Sequence, residues 1–211
     1  MRESRCGLPC FLDGSLDGLT RFNAGEGIAA GLHLFDADTS RWNVPHVRDT
    51  CGDTNVVLIS WAQRARGFIV ADEAASAVRD VTDLRGRRVV ARNSEAGSQM
   101  HFDHITAQAR VGHDEFDIVE TVRTETDAAL CILEGKADVA FGLKSLAALY
   151  KLCFVPVAEE RYDLIIDRRA YFEEPLQTLF AFCGTATFHE KAAELAGYDV
   201  SGLGQVRWNG A

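Results

Sequence analysis

The sequence lacks any run approaching the roughly 20 apolar residues of a membrane-spanning helix. Its opening residues, MRESRCGLPC, also lack the apolar stretch of a secretory signal. A cytoplasmic chain with no membrane partner is the expectation. Basic charge is short too: 22 Lys and Arg stand against 31 Asp and Glu, a net charge of −9. That balance opposes direct nucleic-acid binding by this chain, because such affinity rests on Lys and Arg neutralising phosphates. Proline is scarce, at four residues, and no low-complexity stretch or internal repeat interrupts the chain. With 47% hydrophobic residues, the composition is that of a folded globular protein. Catalytic signatures are missing as well. There is no G-x-S-x-G elbow, no H-E-x-x-H, no phosphate loop ending in Gly-Lys-Ser/Thr, and no G-x-G-x-x-G after a strand. The chain reads as a binding protein rather than an enzyme, with no cofactor.

Six cysteines are present (Cys6, Cys10, Cys51, Cys131, Cys153 and Cys183), scattered and mostly in runs that look like strand or helix cores. Reduced, buried thiols are the expectation. Cys6 and Cys10 are placed to begin a metal site, but no second Cys or His pair follows at zinc-ligand spacing, so no metal is expected. His101 and His104 lie three apart on one predicted helix; without further ligands in reach they read as solvated histidines.

Short apolar runs alternate with helical patterns, which is how α/β proteins with largely parallel sheets read. Predicted strands are Pro9 to Leu12, Ile28 to Leu34, Asn55 to Trp61, Gly67 to Val70, Arg88 to Ala91, Phe116 to Val119, Asp138 to Phe141, Phe154 to Val157 and Tyr162 to Ile166. Between them the spacing predicts helices over Leu16 to Asn23, Ser98 to Arg110, Thr126 to Glu134, Lys144 to Leu152, Pro175 to Phe182 and Thr187 to Ala196. The segments Asn55 to Val70 and Pro156 to Ile166 are the best candidates for crossings between two lobes. The charges inside them, Arg64, Arg66, Glu159, Glu160 and Arg161, read as a solvated surface.

Four segments in series resemble a known family: GSLDGLTRFNAGEGIAAGLHLFDADTSRWNVPHV, DLRGRRVVARNSEAGSQMHFDHI, EGKADVAFGLKSLAALYKLCFVPVAEERYDLII and LAGYDVSGLGQV. They resemble the periplasmic-binding-protein-like domain, which is similar to molybdate- and tungstate-binding proteins and is often fused to helix-turn-helix regulators. The resemblance implies a type II fold: two α/β lobes with mainly parallel sheets and a ligand cleft between them. Lobe one is formed by residues 1–64 plus 159–211 and lobe two by residues 65–158. It implies a non-catalytic domain that closes on a small anion or polar metabolite, a molybdate-type oxyanion among them, in transcriptional or transport regulation. An enzyme on the same fold and an exported transport receptor without its leader are the alternatives. Before Pro9 the family has a further strand and helix, so a shortened version, a mis-assigned start and a fragment of a regulator whose DNA-binding part is elsewhere are the readings of this start, and the unpaired edge makes a homodimer an expectation.

The ligand residues follow from strand-to-helix junctions, where free N–H groups carry partial positive charge. The segment RVVARNSEAGS, Arg88 to Ser98, is such a junction. There the resemblance implies a ligand contact from Arg92, with Asn93, Gly97 and Ser98 around it; Ser98 reads equally as a helix cap. The family's Ser-Gly-Thr-basic loop is replaced here by Ala96, Gly97, Ser98 and Gln99, with Glu95 nearby. That exchange weakens the case for a doubly charged oxyanion and favours a zwitterion or polar organic ligand. Gly14 and Ser15 form the matching junction in lobe one. His33 near a strand end, Thr126 at a helix start, Gly142 after a strand and Tyr162 in the second crossing complete the candidates.

Overall fold

In the computed structural model, which describes residues 4–11, 14–72 and 77–211, the first regular element is helix α1, Ser15–Asn23. Its buried stripe is Ser15, Leu19 and Phe22, with Asp17 in the first turn and Arg21 in the last, the signs that suit a helix dipole. Strand β1 is Ala29–Leu32, and a two-stranded hairpin of β2, Phe35–Asp36, and β3, Arg41–Trp42, follows. Helix α2 covers Val44–Cys51 and leads into the long strand β4, Val56–Val70. Next come β5 (Arg88–Arg92), α3 (Gly97–Gln108), β6 (Asp117–Val122), α4 (Glu125–Leu133), β7 (Val139–Leu143) and α5 (Lys144–Leu149). The second long strand, β8, is Cys153–Asp167, followed by α6 (Glu174–Cys183), α7 (Ala186–Ala193), β9 (Tyr198–Asp199) and β10 (Val206–Asn209). No helix among the described residues is long and apolar enough to cross a membrane.

The chain divides into two compact units, Met1–Gln63 with Arg161–Ala211, and Arg64–Glu160, so β4 and β8 each run from one unit into the other. In the first unit the strand order is β1-β8-β4, with β9 and β10 also pairing with β4. Its core is built from Val57, Ile59, Ile166, Leu176, Leu179 and Cys183, with Cys6 buried among them. In the second unit the order is β8-β4-β7-β5-β6. Successive residues of a strand face opposite sides, and the cores follow that rule. Phe68, Val89, Val139 and Phe141 pack with Phe102 of α3 on one face, while Ile69, Val90 and Ala140 pack with Ala129 and Ile132 of α4 on the other.

The α/β class agrees with the sequence reading, but the sheet is mixed rather than mainly parallel. β5 runs parallel to β6 and β7, whereas β4 is antiparallel to β7 and to β10, and β1 is antiparallel to β8. Only the helix-connected strands of the second unit can be parallel; β4 enters that unit with its direction already set. The predicted break between Trp61 and Gly67 does not exist, nor does the one between Val157 and Tyr162, since both lie inside the two 15-residue strands. Pro9 to Phe11, predicted as strand, take no regular structure, and Leu12 lies outside the described residues.

The charges read as solvated are the reason β4 is continuous. Arg64 and Arg66 sit two apart on one face of β4, and both bond the Glu160 carboxylate of β8, Arg64 through Nη2 and Arg66 through Nε. Arg66 and Glu160 are each 0% exposed. His101 is likewise buried rather than solvated, edge-on to Phe141 at 5.7 Å. All six cysteines are free, with Cys6, Cys51, Cys131 and Cys183 buried.

In the first unit, Asn43 holds the entry to α2 in a left-handed conformation, φ 57°, fully buried. Its Oδ1 accepts from the Leu34 N–H at 2.7 Å, and its Nδ2 donates to Asp163 Oδ2 at 2.7 Å and to the Arg161 carbonyl at 3.2 Å. Burial pushes the Asp163 carboxyl above the usual carboxylate range, against the lowering effects of the Asn43 bond, Arg207 and Arg161.

Two outcomes follow. Replacing one partner of a buried, hydrogen-bonded ion pair leaves an uncompensated charge, so Glu160→Gln is expected to lower the unfolding free energy by about 3–5 kcal/mol in a urea titration. An Asp163 pKa raised in the fold favours folding at pH below the unfolded value and opposes it as pH rises through the folded value. Asp163→Asn is therefore expected to raise the melting temperature at pH 8, with the gain over the unaltered chain shrinking as pH falls toward about 4. An equal gain at both pH values contradicts the assignment.

Candidate functional site

The C-terminal ends of parallel strands β5, β6 and β7 lie at one edge of the second unit's sheet, the edge where open α/β sheets hold ligands. Arg92 is the last residue of β5, and its backbone N–H donates to Gln99 Oε1 at 2.7 Å. Gln99 in turn donates through Nε2 to Asp103 Oδ1 at 2.7 Å, so the first turns of α3 lock the strand end. The Arg92 guanidinium donates through Nη1 to Ser98 Oγ at 3.3 Å and through Nη2 to the Arg123 carbonyl at 2.7 Å. Its Nε is buried without a hydrogen-bond partner.

Helix α4 supplies the next charge. Thr124 caps it reciprocally with Asp127, a capping box that fixes the first turn, and the following residue, Glu125, points a carboxylate between two arginines. Glu125 Oε1 lies 2.9 Å from Arg66 Nη2 and 3.8 Å from Arg92 Nη1. Arg66 completes a continuous set of charges, fully buried at Glu160 and part-buried at Glu125 and Arg92, stands over the Phe141 ring at 5.6 Å, and keeps Nη1 without a partner. Burial opposes the Arg66 charge, but Glu125 and Glu160 outweigh it and hold that guanidinium above the ordinary arginine range. Arg92 moves the other way: burial lowers it, Glu125 opposes the shift, and Arg66 adds to it. Arg64, Arg66 and Arg92 face Glu125 and Glu160, and Asp127 also acts on Arg92, so the cations of the cluster are met by carboxylates.

Of the residues singled out by sequence, Arg92, Gly97, Ser98 and Gly142 come together here. Ser98 is not a cap, for α3 has no side-chain cap; its hydroxyl instead meets Arg92. Gly142 lies within β7 rather than after it, opposite Gly67, and a Cβ there would meet Ile69 at 2.8 Å and Glu125 Oε2 at 4.0 Å. Asn93 and Thr126 are exposed, and no side-chain hydrogen bond joins them to the cluster. The carboxylate beside Arg92 is Glu125, whereas Glu95 is exposed. Arg64, Arg66, Glu125 and Glu160 were missed. The signal available was the pair of arginines at alternate positions within an apolar run, which a strand places on one face.

The remaining candidates belong to the first unit. Ser15 is buried in the first turn of α1, and its Oγ accepts from the His33 N–H at 3.1 Å. The His33 ring lies 6.2 Å from that of Tyr162, and Gly14 is the residue before α1. Among the described residues no group of three or more His, Cys, Asp or Glu is placed to hold a metal ion.

Comparison with known proteins places this geometry. The domain family described as PBP superfamily domain matches residues 1–184. The uncharacterized protein YvgK of Bacillus subtilis (strain 168) is 25% identical over 198 residues, 92% of this chain and 63% of that protein. The chain thus spans less than two thirds of the length of that relative. Among solved structures, the effector binding domain of QuiR in complex with shikimate has a TM-score of 0.60 at 13% identity, over 86% of this chain and 80% of that one. A putative L-cystine ABC transporter from Listeria monocytogenes has a TM-score of 0.60 at 13% identity, over 88% and 76%. The ancestral amino acid-binding protein AncCDT-1, a precursor of cyclohexadienyl dehydratase, has a TM-score of 0.57 at 15% identity, over 88% and 76%. At these identities the likeness is one of fold, the type II periplasmic-binding-protein fold. The family match, taking in most of the 211 residues, adds descent to architecture, and the chain belongs to the PBP superfamily.

Proposed function

We propose that this chain is a small-ligand-binding domain whose second unit holds the anionic group of a polar metabolite at Arg92 and the start of α3. The observation that carries this reading is the part-buried Arg92 guanidinium, whose Nε is buried without a partner at the end of β5. The N–H groups that open α3 add partial positive charge beside Ser98.

The carboxylate beside Arg92 favours one ligand class. A carboxylate ligand brings a single negative charge to Arg92. A doubly charged oxyanion such as molybdate brings twice that charge to the same place. It would also face Glu125, which stands 3.8 Å from Arg92, and like charges at close range repel far more strongly when solvent is excluded. Shikimate, in the QuiR effector domain, and L-glutamate, in the GluR0 ligand-binding core, are both carboxylates held by proteins of this fold. A sensing or transport role belongs to the same proposal, since a ligand that binds one conformation more tightly shifts the population toward it.

Calorimetric titration with shikimate, L-glutamate, other carboxylates, molybdate, tungstate and sulfate tests the reading. A carboxylate is expected to bind, and Arg92→Ala to weaken it about 10- to 100-fold, the loss of a charged hydrogen bond. Tight binding of molybdate with no carboxylate response contradicts the ligand class. Undiminished affinity in Arg92→Ala contradicts the site.

A further inference from the structure

Two helices of the second unit begin at the C-terminal edge of its parallel strands, and their first turns differ in charge. Helix α3 opens with no acidic residue, whereas α4 opens with Glu125 and Asp127. A helix N-terminus attracts an anion, and at α4 the chain supplies that anion itself. Glu125 is the first residue of α4, and its Oε1 stands 2.9 Å from Arg66 Nη2 and 3.8 Å from Arg92 Nη1. A carboxylate of the protein thus lies between the two arginines that stand nearest the start of α4.

Glu125 has little freedom to leave that place. The capping box fixes the turn from which it projects, with Thr124 Oγ1 accepting from the Asp127 N–H at 3.0 Å. Its partner Arg66 is 0% exposed and is held through Nε by Glu160. Burial works against the Arg66 charge, and the attraction of Glu125 is the largest influence that upholds it. The side chains of Glu125 and Arg92 are each 15% exposed, so solvent screens the contact between them only in part. Asp127 acts on Arg92 as well, but more weakly than Glu125 does.

We infer that Glu125 is a specificity-determining residue that limits the ligand to a single negative charge beside Arg92 and turns doubly charged anions away. The inference rests on the Arg92 site proposed above. Arg66 gives Nη2 to Glu125 and Nε to Glu160, so its charge is already answered within the fold, and Arg92 is the arginine that meets the ligand. A second unit of negative charge on the ligand is repelled by a carboxylate that is held in place and cannot turn away. At about 7 Å, with the effective dielectric of a part-buried site, that repulsion amounts to about 10- to 100-fold in affinity. With position 125 neutral, Arg66 and Arg92 serve the ligand together, two cations for a doubly charged anion. Specificity here comes from a repulsive group set against the wrong ligand, beside the attractive one that holds the right one.

The test is calorimetric titration of the full chain with shikimate, which carries one negative charge, and with sulfate, which carries two. The unaltered chain is expected to bind shikimate more tightly. Glu125→Gln keeps the shape and removes the charge, and it is expected to shift the ratio of the two affinities about tenfold or more toward sulfate. Glu95→Gln removes the same charge from an exposed position and is expected to leave the ratio unchanged, which separates a local effect from the overall charge of the chain. Sulfate is also expected to raise the melting temperature of Glu125→Gln beyond what sodium chloride does at equal ionic strength, a rescue absent from the unaltered chain. If Glu125→Gln does not fold, refolding decides: recovery in sulfate but not in chloride supports the inference, and no recovery in sulfate overturns it. A ratio unchanged in Glu125→Gln, with shikimate bound by the unaltered chain, overturns the inference, makes Glu125 a structural counter-ion and leaves the Arg92 site standing. No shikimate binding by the unaltered chain, with sulfate bound by Glu125→Gln, sinks the carboxylate reading and leaves the role of Glu125 standing. Binding of neither ligand by either protein overturns both.

Discussion

A carboxylate with no contact with solvent has to be met by cations, and in the second unit Glu160 imposes that condition on everything around it. Its two oxygens are taken by Arg64 and Arg66, which fixes the registration of β8 against β4. Arg66 then turns its far end to Glu125 at 2.9 Å, which places the first turn of α4. Glu125 lies beside Arg92, at the end of β5. The position of the Arg92 guanidinium is thus set through a series of charges that begins about 70 residues later in the chain. Such a series orients the guanidinium by contacts within the fold.

Local periodicity made the helices legible. Phe102, Ile105 and Ala109 mark α3, Ala129 and Ile132 mark α4, and Gly135, at φ 69°, sits just past the end of α4. Long-range pairing did not show in the same way. In the sequence the apolar run of β4 breaks after Trp61 because Gln63, Arg64 and Arg66 are polar, and Glu160, some 95 positions on, together with Glu125 makes the burial of Arg64 and Arg66 tolerable. Helix α2 offers too few apolar residues for a stripe, with Pro45, Val47 and Cys51 buried. Strands β9 and β10, of two and four residues with no fully buried side chain, carry no alternation to read. In the opposite direction, the proline-containing run from Pro9 looks like a strand by composition, yet composition cannot say whether a partner strand is in reach.

The site was half legible for the same reason. Arg92, Gly97 and Ser98 fall within one short segment at a strand-to-helix junction, a local pattern. Glu125 and Arg66 reach the same place from other elements, and nothing adjacent to them in sequence signals it. Glu95, the nearest carboxylate along the chain, is turned out to solvent, while the one that faces Arg92 is 33 positions away. Closeness along the backbone was the wrong measure for the charge that faces Arg92.

The two outer strands show how differently an open sheet edge can be managed. β6 closes the second unit's sheet with five exposed residues, among them Asp117 and Glu120, whose charges discourage a further strand. β1 closes the first unit's sheet with Ala29, Ala30, Gly31 and Leu32, none of them charged. An uncharged, small-residue edge would be an aggregation hazard if it stood free on the surface. Here it is set back between Phe22 on one side and Phe182 and Phe188 on the other, so apolar walls cover at β1 what charge protects at β6.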